Sequence, residues 1–117
     1  MSEFSSFLSR LGNLHDCTIT SFEWKSEKKR MEFEIEDLYF NFEGLPEYKG
    51  PLAGRIALDG VQRVDIRINS TERALRVDDF CVVSETPDGS LVSVTFWPSG
   101  KIEVAYQNAV FPTITLP

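Results

Sequence analysis

Met31-Glu32-Phe33-Glu34-Ile35-Glu36 alternates apolar and acidic residues without a break. Successive side chains of a β-strand point to opposite faces. The stretch therefore reads as a half-buried strand with Met31, Phe33 and Ile35 inward and three glutamates outward. Upstream, Cys17 to Trp24 is rich in strand formers (Thr18, Ile19, Thr20, Phe22, Trp24), and the polar run Lys25 to Lys29 supplies a turn back to Met31. Downstream, Glu36-Asp37 breaks the alternation, and Leu38, Phe40 and Phe42 resume it in the other phase. That shift predicts a bulge or tight turn at Glu36-Asp37 with a strand beyond it. Glu43 to Gly54 holds two Pro and three Gly and is the longest predicted loop.

The same period of two runs to the end of the chain. Ile56 and Leu58 begin a strand that meets Gly60, and Val64, Ile66 and Ile68 alternate with Arg63, Asp65, Arg67 and Asn69. Asn69 to Glu72 reads as a turn. Leu75 and Val77 lead to Asp78-Asp79, read as a strand-joining turn, and Phe80 to Val83 is a further strand. Pro87-Asp88-Gly89-Ser90 is a β-turn, with Pro setting φ and Gly supplying the positive φ. Leu91 to Trp97 is nearly continuous and reads as a central strand buried on both faces. After the turn Pro98-Ser99-Gly100, Ile102, Val104 and Tyr106 alternate with Lys101, Glu103 and Ala105. The tail from Ala109 to Pro117 is bounded by prolines, which suits an edge strand or a packed tail. Only Phe4, Phe7, Leu8 and Leu11 show helical spacing, with Ser2 to cap the start and Gly12 to close the end. The chain is thus expected to be mainly β: an antiparallel β-sandwich or flattened barrel of about eight strands with one short N-terminal helix, in a single domain over residues 1–117.

Composition sets the compartment and the class of partner. At 117 residues with 42% hydrophobic content, the chain can build a core without disulfides or metal. No apolar run approaches the roughly 20 residues that cross a bilayer, and Met1-Ser2-Glu3-Phe4 lacks the basic flank of a secretory signal. The expectation is a cytoplasmic protein without membrane contact, in which Cys17 and Cys81 are free thiols. Asn69-Ser70-Thr71 fits the glycosylation sequon, but without secretion the match is a chance one.

Three constellations invite a chemical reading. His15-Asp16 joins the chain's only His to a carboxylate, the pairing of a general base or metal ligand. On an extended strand, however, the two side chains would point apart, and no second His or nucleophile elbow accompanies them. A helix-to-strand corner is the better reading. Asp78-Asp79 with Glu85 supplies carboxylates for a hard cation but lacks the Asp/Asn/Gly loop of a calcium site. Tyr39, Tyr48, Trp97 and Tyr106 could line a ligand pocket, although aromatics in a small sheet protein more often form core or cross-strand pairs. Gly50-Pro51-Leu52-Ala53-Gly54 has neither the spacing nor the Lys of a phosphate loop. No catalytic residue, metal site or cofactor is expected.

Charge is distributed unevenly. Residues 31–50 hold six acids (Glu32, Glu34, Glu36, Asp37, Glu43, Glu47) against Lys49, a local −5 within a whole-chain −6. Residues 55–76 hold five Arg against Asp59, Asp65 and Glu72, a local +2. Nucleic acid is a poor partner, because phosphate repels an acidic protein. A solvated, edge-protecting face explains the glutamates without function. The functional reading is an acidic sheet face that steers a basic protein, with Glu32, Glu34 and Glu36 extended by Tyr39, Asn41 and Glu43.

Leu14-His15-Asp16-Cys17-x-Ile19 followed by the alternating strand Met31 to Ile35 resembles the opening of small all-β bacterial proteins of unknown function, some grouped with immunity proteins of polymorphic toxin systems. The resemblance covers about the first third of the chain. It implies a non-enzymatic inhibitor that binds a toxin domain, and it carries no binding residues with it. Two functions thus stand as expectations: a non-enzymatic protein-binding domain, immunity-like, and a small-ligand-binding β-barrel with an aromatic-lined pocket. A deep apolar cavity would distinguish the second.

Overall fold

Ser2 opens the helix as its place before the apolar stripe predicts: its Oγ accepts the Ser5 N–H at 3.0 Å and caps α1 (Glu3–Arg10). Phe4, Phe7 and Leu8 are buried on one face, and Leu11 follows them into the core. The computed structural model describes residues 2–46, 48, 50–68 and 75–114. Among these, no helix is long and apolar enough to cross a membrane.

Eight strands follow: β1 (Thr18–Lys25), β2 (Arg30–Ile35), β3 (Gly54–Asp59), β4 (Arg63–Arg67), β5 (Leu75–Thr86), β6 (Gly89–Trp97), β7 (Lys101–Tyr106) and β8 (Asn108–Val110). All pair antiparallel in one sheet of order β4-β7-β6-β5-β1-β2-β3-β8. The expected mainly β architecture with one N-terminal helix is the one the chain adopts. β6 lies between β5 and β7, and β8 at an edge, as their sequences suggested. β6 is not buried on both faces as expected: Val92, Val94 and Phe96 are buried, whereas Leu91 and Thr95 are half-buried and Trp97 is exposed. The turn expected at Asn69–Glu72 lies outside the described residues.

The sheet curls back on itself. Lys101–Val110 is one extended run interrupted only at Gln107, its first half pairing with β4 and its second with β3. β3 and β4 are likewise joined by just Gly60, Val61 and Gln62. Hydrogen bonds from Gln62 N to Ala105 O (2.8 Å) and from Gln107 N to Asp59 O (2.9 Å) carry the ladder across this corner. The sheet order therefore starts and finishes on halves of the same two bent segments, which makes a flattened barrel. Gly60 turns the corner at φ +64, where a Cβ would meet the Gln107 side chain at 2.5 Å.

Bulges keep the core face inward. Ile19 pairs with Ile35 and Ser21 with Glu34, so Thr20 is the extra residue, and both Ile19 and Phe22 face the core. Asp78 is the extra residue between Val77 and Asp79, and both Val77 and Phe80 are fully buried. The Asp78-Asp79 turn of the sequence reading is thus a bulge inside one continuous strand. Phe33 and Phe80 meet edge to face at 5.4 Å in the centre. Phe4 closes over Phe80 and Tyr106, and Phe111 lies 5.3 Å from Phe4 and 4.7 Å from Phe7.

The predicted strand through Leu38, Phe40 and Phe42 does not form. Asp37 explains its absence: its Oδ1 accepts from Tyr39 N (3.0 Å) and Leu52 N (3.1 Å), and its Oδ2 from the Tyr48 hydroxyl (2.9 Å). Those bonds wrap the chain into a 3-10 turn over Phe40–Phe42. They also hold the Tyr48 hydroxyl proton above its ordinary range.

Candidate functional site

The six residues expected to form one acidic face are dispersed. Glu32 points to the outer side of β2, as its alternation requires, yet it is only 7% exposed. Register explains this. Glu32 sits between Glu23 on β1 and Ala57 on β3, where neighbouring side chains close over it. Two carboxylates directly opposite would repel. Lys25 separates them, its Nζ 2.9 Å from Glu32 and 3.7 Å from Glu23. Arg30 Nη1 lies 3.4 Å from Glu32 and Arg55 Nη1 3.9 Å, while Arg55 also pairs with Glu34.

Arg30 Nε approaches Asp59 Oδ1 at 2.9 Å without an aligned hydrogen bond. Four carboxylates thus meet three cations across β1, β2 and β3, for a net −1. The expected field is neutralised from within. The Lys25 hydrogen bond, outweighing burial, holds the Glu32 carboxyl below its ordinary range, and the Glu32 carboxylate in turn raises Lys25.

Beyond the strand the face does not continue. Glu36 and Glu43 are exposed and line a cleft of about 270 Å³ with Phe40 and Cys17. Tyr39 is buried against Phe42. Asn41 turns away from the acidic strand altogether: its Nδ2 donates to Leu11 O at 3.1 Å and packs where a Gly12 side chain would stand.

Asn41 thereby braces an unusual loop. Gly12, Asn13, Leu14 and Asp16 all have positive φ, at 67, 52, 56 and 65°. For a residue as bulky as Leu this is a rare conformation costing about 1–3 kcal/mol. Full burial of the Leu14 side chain opposes that cost. The turn ends on β5, with Asp16 N donating to Val77 O at 2.8 Å and Val77 N to Cys17 O at 2.8 Å.

Turning rather than extending, the chain brings His15 and Asp16 together. His15 Nε2 lies 3.5 Å from Asp16 Oδ2, contrary to the opposed geometry expected of a strand. His15 Nδ1 lies 2.7 Å from the Asp78 carbonyl, which can only accept, so Nδ1 carries the proton. That hydrogen bond, then Asp16, raises the affinity of the ring for a second proton. On its other side Asp16 Oδ1 accepts from Arg76 Nε at 2.8 Å and lies 2.8 Å from Arg76 Nη2.

Arg76 is the direct cross-strand partner of Trp97, and its guanidinium lies 5.4 Å from the centre of the indole. Trp97 is 62% exposed, the highest value among the exposed large hydrophobics. Thr95 Oγ1 donates to Asp78 Oδ2 at 3.3 Å beside it. The result is a platform: indole, guanidinium, carboxylate and imidazole, each held by the next. No known family model matches this chain, and no curated protein matches it.

The platform suits recognition. Trp and Arg dominate the energetics of protein interfaces, and fixing them beforehand lowers the ordering cost of binding. The sequence reading singled out His15 and Asp16 but missed Arg76 and joined Trp97 to a different set. Among the described residues no cluster of three His, Cys, Asp or Glu has metal-binding geometry. Tyr39 and Tyr106 are buried, Tyr48 holds Asp37, and Trp97 faces outward, so the four aromatics line no common pocket.

Proposed function

We propose that the chain is a non-enzymatic protein-binding domain, immunity-like in kind, that docks a basic partner on the Trp97–Arg76 platform. The observation that carries this reading is the fixed, exposed indole. One side of the cross-strand pair is taken by Arg76, and 62% of Trp97 remains open to a partner. The Asp16 carboxylate holds Arg76, the Asp78 carboxylate accepts from Thr95 two residues before Trp97, and the whole chain carries −6, which favours a cationic side chain over the open indole. Leu14 to Cys17, which with Ile19 and the strand Met31 to Ile35 carries the resemblance to small all-β bacterial proteins, some grouped with immunity proteins, is the loop that sets Asp16 against Arg76. The docking surface differs from the one expected from sequence, because Glu32 and Glu34 spend their charge on Lys25, Arg30 and Arg55.

Co-purification from the cells that make the protein tests this, comparing wild type with Trp97→Ala and Glu34→Gln. The expected result is a basic protein held by wild type and Glu34→Gln and weakened at least tenfold by Trp97→Ala, the loss of a typical interface hot spot. A partner held equally by Trp97→Ala would overturn the platform as the docking surface. Partners without basic character would overturn the charge argument.

A further inference from the structure

The imidazole of the platform meets its carboxylate through an atom that cannot donate. His15 Nδ1 commits its proton to the Asp78 carbonyl at 2.7 Å. A neutral ring therefore turns the lone pair of Nε2 toward Asp16 Oδ2, 3.5 Å away, and two acceptors do not bond. A proton on Nε2 converts this contact into a charge-assisted hydrogen bond, which ordinarily closes to about 2.7–2.9 Å. Asp16 would then be held at both oxygens, since Arg76 already takes Oδ1. The His15 side chain is 55% exposed, so the proton comes directly from solvent.

The charges that face the ring come from two elements. Asp16 stands on its own turn, and Arg76 and Asp78 reach it from β5. Two carboxylates and one guanidinium sum to −1 while His15 is neutral and, with the imidazolium, to zero. We propose that His15 is a proton switch on the Trp97–Arg76 platform: neutral, it leaves the negative charge that favours a cationic partner, and protonated at Nε2 it cancels that charge and releases the partner. This inference rests on the docking reading above. His15 is the only histidine of the chain, and burial pushes Cys17 up to about 12 and Cys81 up to about 11. Its imidazole is thus the side chain that changes charge between about pH 5.5 and about pH 8.5. The groups involved are partly exposed, which keeps the effect modest. Removing one net charge about a Debye length from a bound cation weakens it about two- to fivefold.

The test uses a decalysine peptide with blocked ends as the cation, whose ammonium groups stay charged throughout this range. Its affinity is measured at the two pH values for wild type, His15→Asn and Trp97→Ala. Asparagine keeps an amide donor where Nδ1 donates, but carries no titrating group. Wild type should bind more tightly at the higher pH by the factor given. His15→Asn should show no pH step, and Trp97→Ala should bind more weakly at both values. In the free wild-type protein, the Trp97 indole N–H resonance should shift with the midpoint of the His15 ring. Wild-type binding that is equal at both pH values, or tighter at the lower, overturns the switch and leaves the platform standing. So does a pH step that persists in His15→Asn, or a Trp97 resonance that ignores the His15 titration. Decalysine held equally by Trp97→Ala overturns the platform, and the switch with it.

Discussion

His15 shows how a single side chain can tie its own turn to a strand. Its Nδ1 proton is committed to the Asp78 carbonyl on β5, so any second proton must add at Nε2, which faces Asp16. Asp16 is itself held by Arg76, whose positive charge opposes that protonation, while the Asp78 carboxylate favours it. The balance raises the His15 pKa above its ordinary value. A raised folded pKa stabilises the fold fully below the unfolded value of about 6.5, and the contribution is lost as pH rises through the folded one. NMR titration of the only histidine should give a pKa above that unfolded value, and Asp16→Asn should lower it. A titration at or below the unfolded value would show that the imidazole does not hold these contacts in solution.

At the level of elements, the outer face of β1, β2 and β3 separates what alternation predicts from what register decides. Alternation correctly sends Glu32 and Glu34 outward, but their surroundings come from residues on two other strands. Glu32→Gln should cost about 1–3 kcal/mol, because Lys25, Arg30 and Arg55 lose a shared, nearly buried counter-charge. Glu36→Gln, exposed and outside that ladder, should stay within about 0.5 kcal/mol. Urea denaturation of the two variants distinguishes them, and equal losses would show that the ladder adds nothing. The Glu32 pKa is depressed, so its contribution exists above the unfolded glutamate value and disappears as pH falls through the lower folded one. The strands themselves were legible because period two is written locally, in Met31 to Ile35 or Ile102 to Tyr106. Exposure of Glu32 was not, because Lys25 and Arg55 reach it only through pairing. Phe40 and Phe42 misled for a related reason: their spacing fits a strand, but Asp37 collects hydrogen bonds from residues 2, 11 and 15 positions away. The platform was half legible, since His15 and Asp16 adjoin in sequence while Arg76 lies 60 residues from Asp16 and meets Trp97 only across β5 and β6.

For the molecule as a whole, the important question is what closes the barrel. One corner is closed covalently, by the short connections at Gly60–Gln62 and Gln107. The helix closes another opening, running beside β5 from Ser2 near Glu85 to the 3-10 turn after Leu11, where Asp16 bonds to Val77. An eight-residue helix would be marginal alone in water, so its persistence depends on burying Phe4, Phe7 and Leu8. Phe7 touches Phe4 on its own helix and Phe111 beyond β8, so it links the first and last described segments of the chain. Its removal should therefore be felt by the whole fold. Phe7→Ala should cost about 3–5 kcal/mol, the sum of lost burial and an unfilled cavity. Phe111→Ala should cost less in the Phe7→Ala background than in wild type, by about 0.5–1.5 kcal/mol, if the two rings stabilise one another. Urea denaturation of both single variants and the double variant supplies the cycle. A Phe7→Ala loss under about 0.5 kcal/mol, against the range expected for a buried ring, would mean that the helix is not part of the folded unit and that the barrel mouth closes without it.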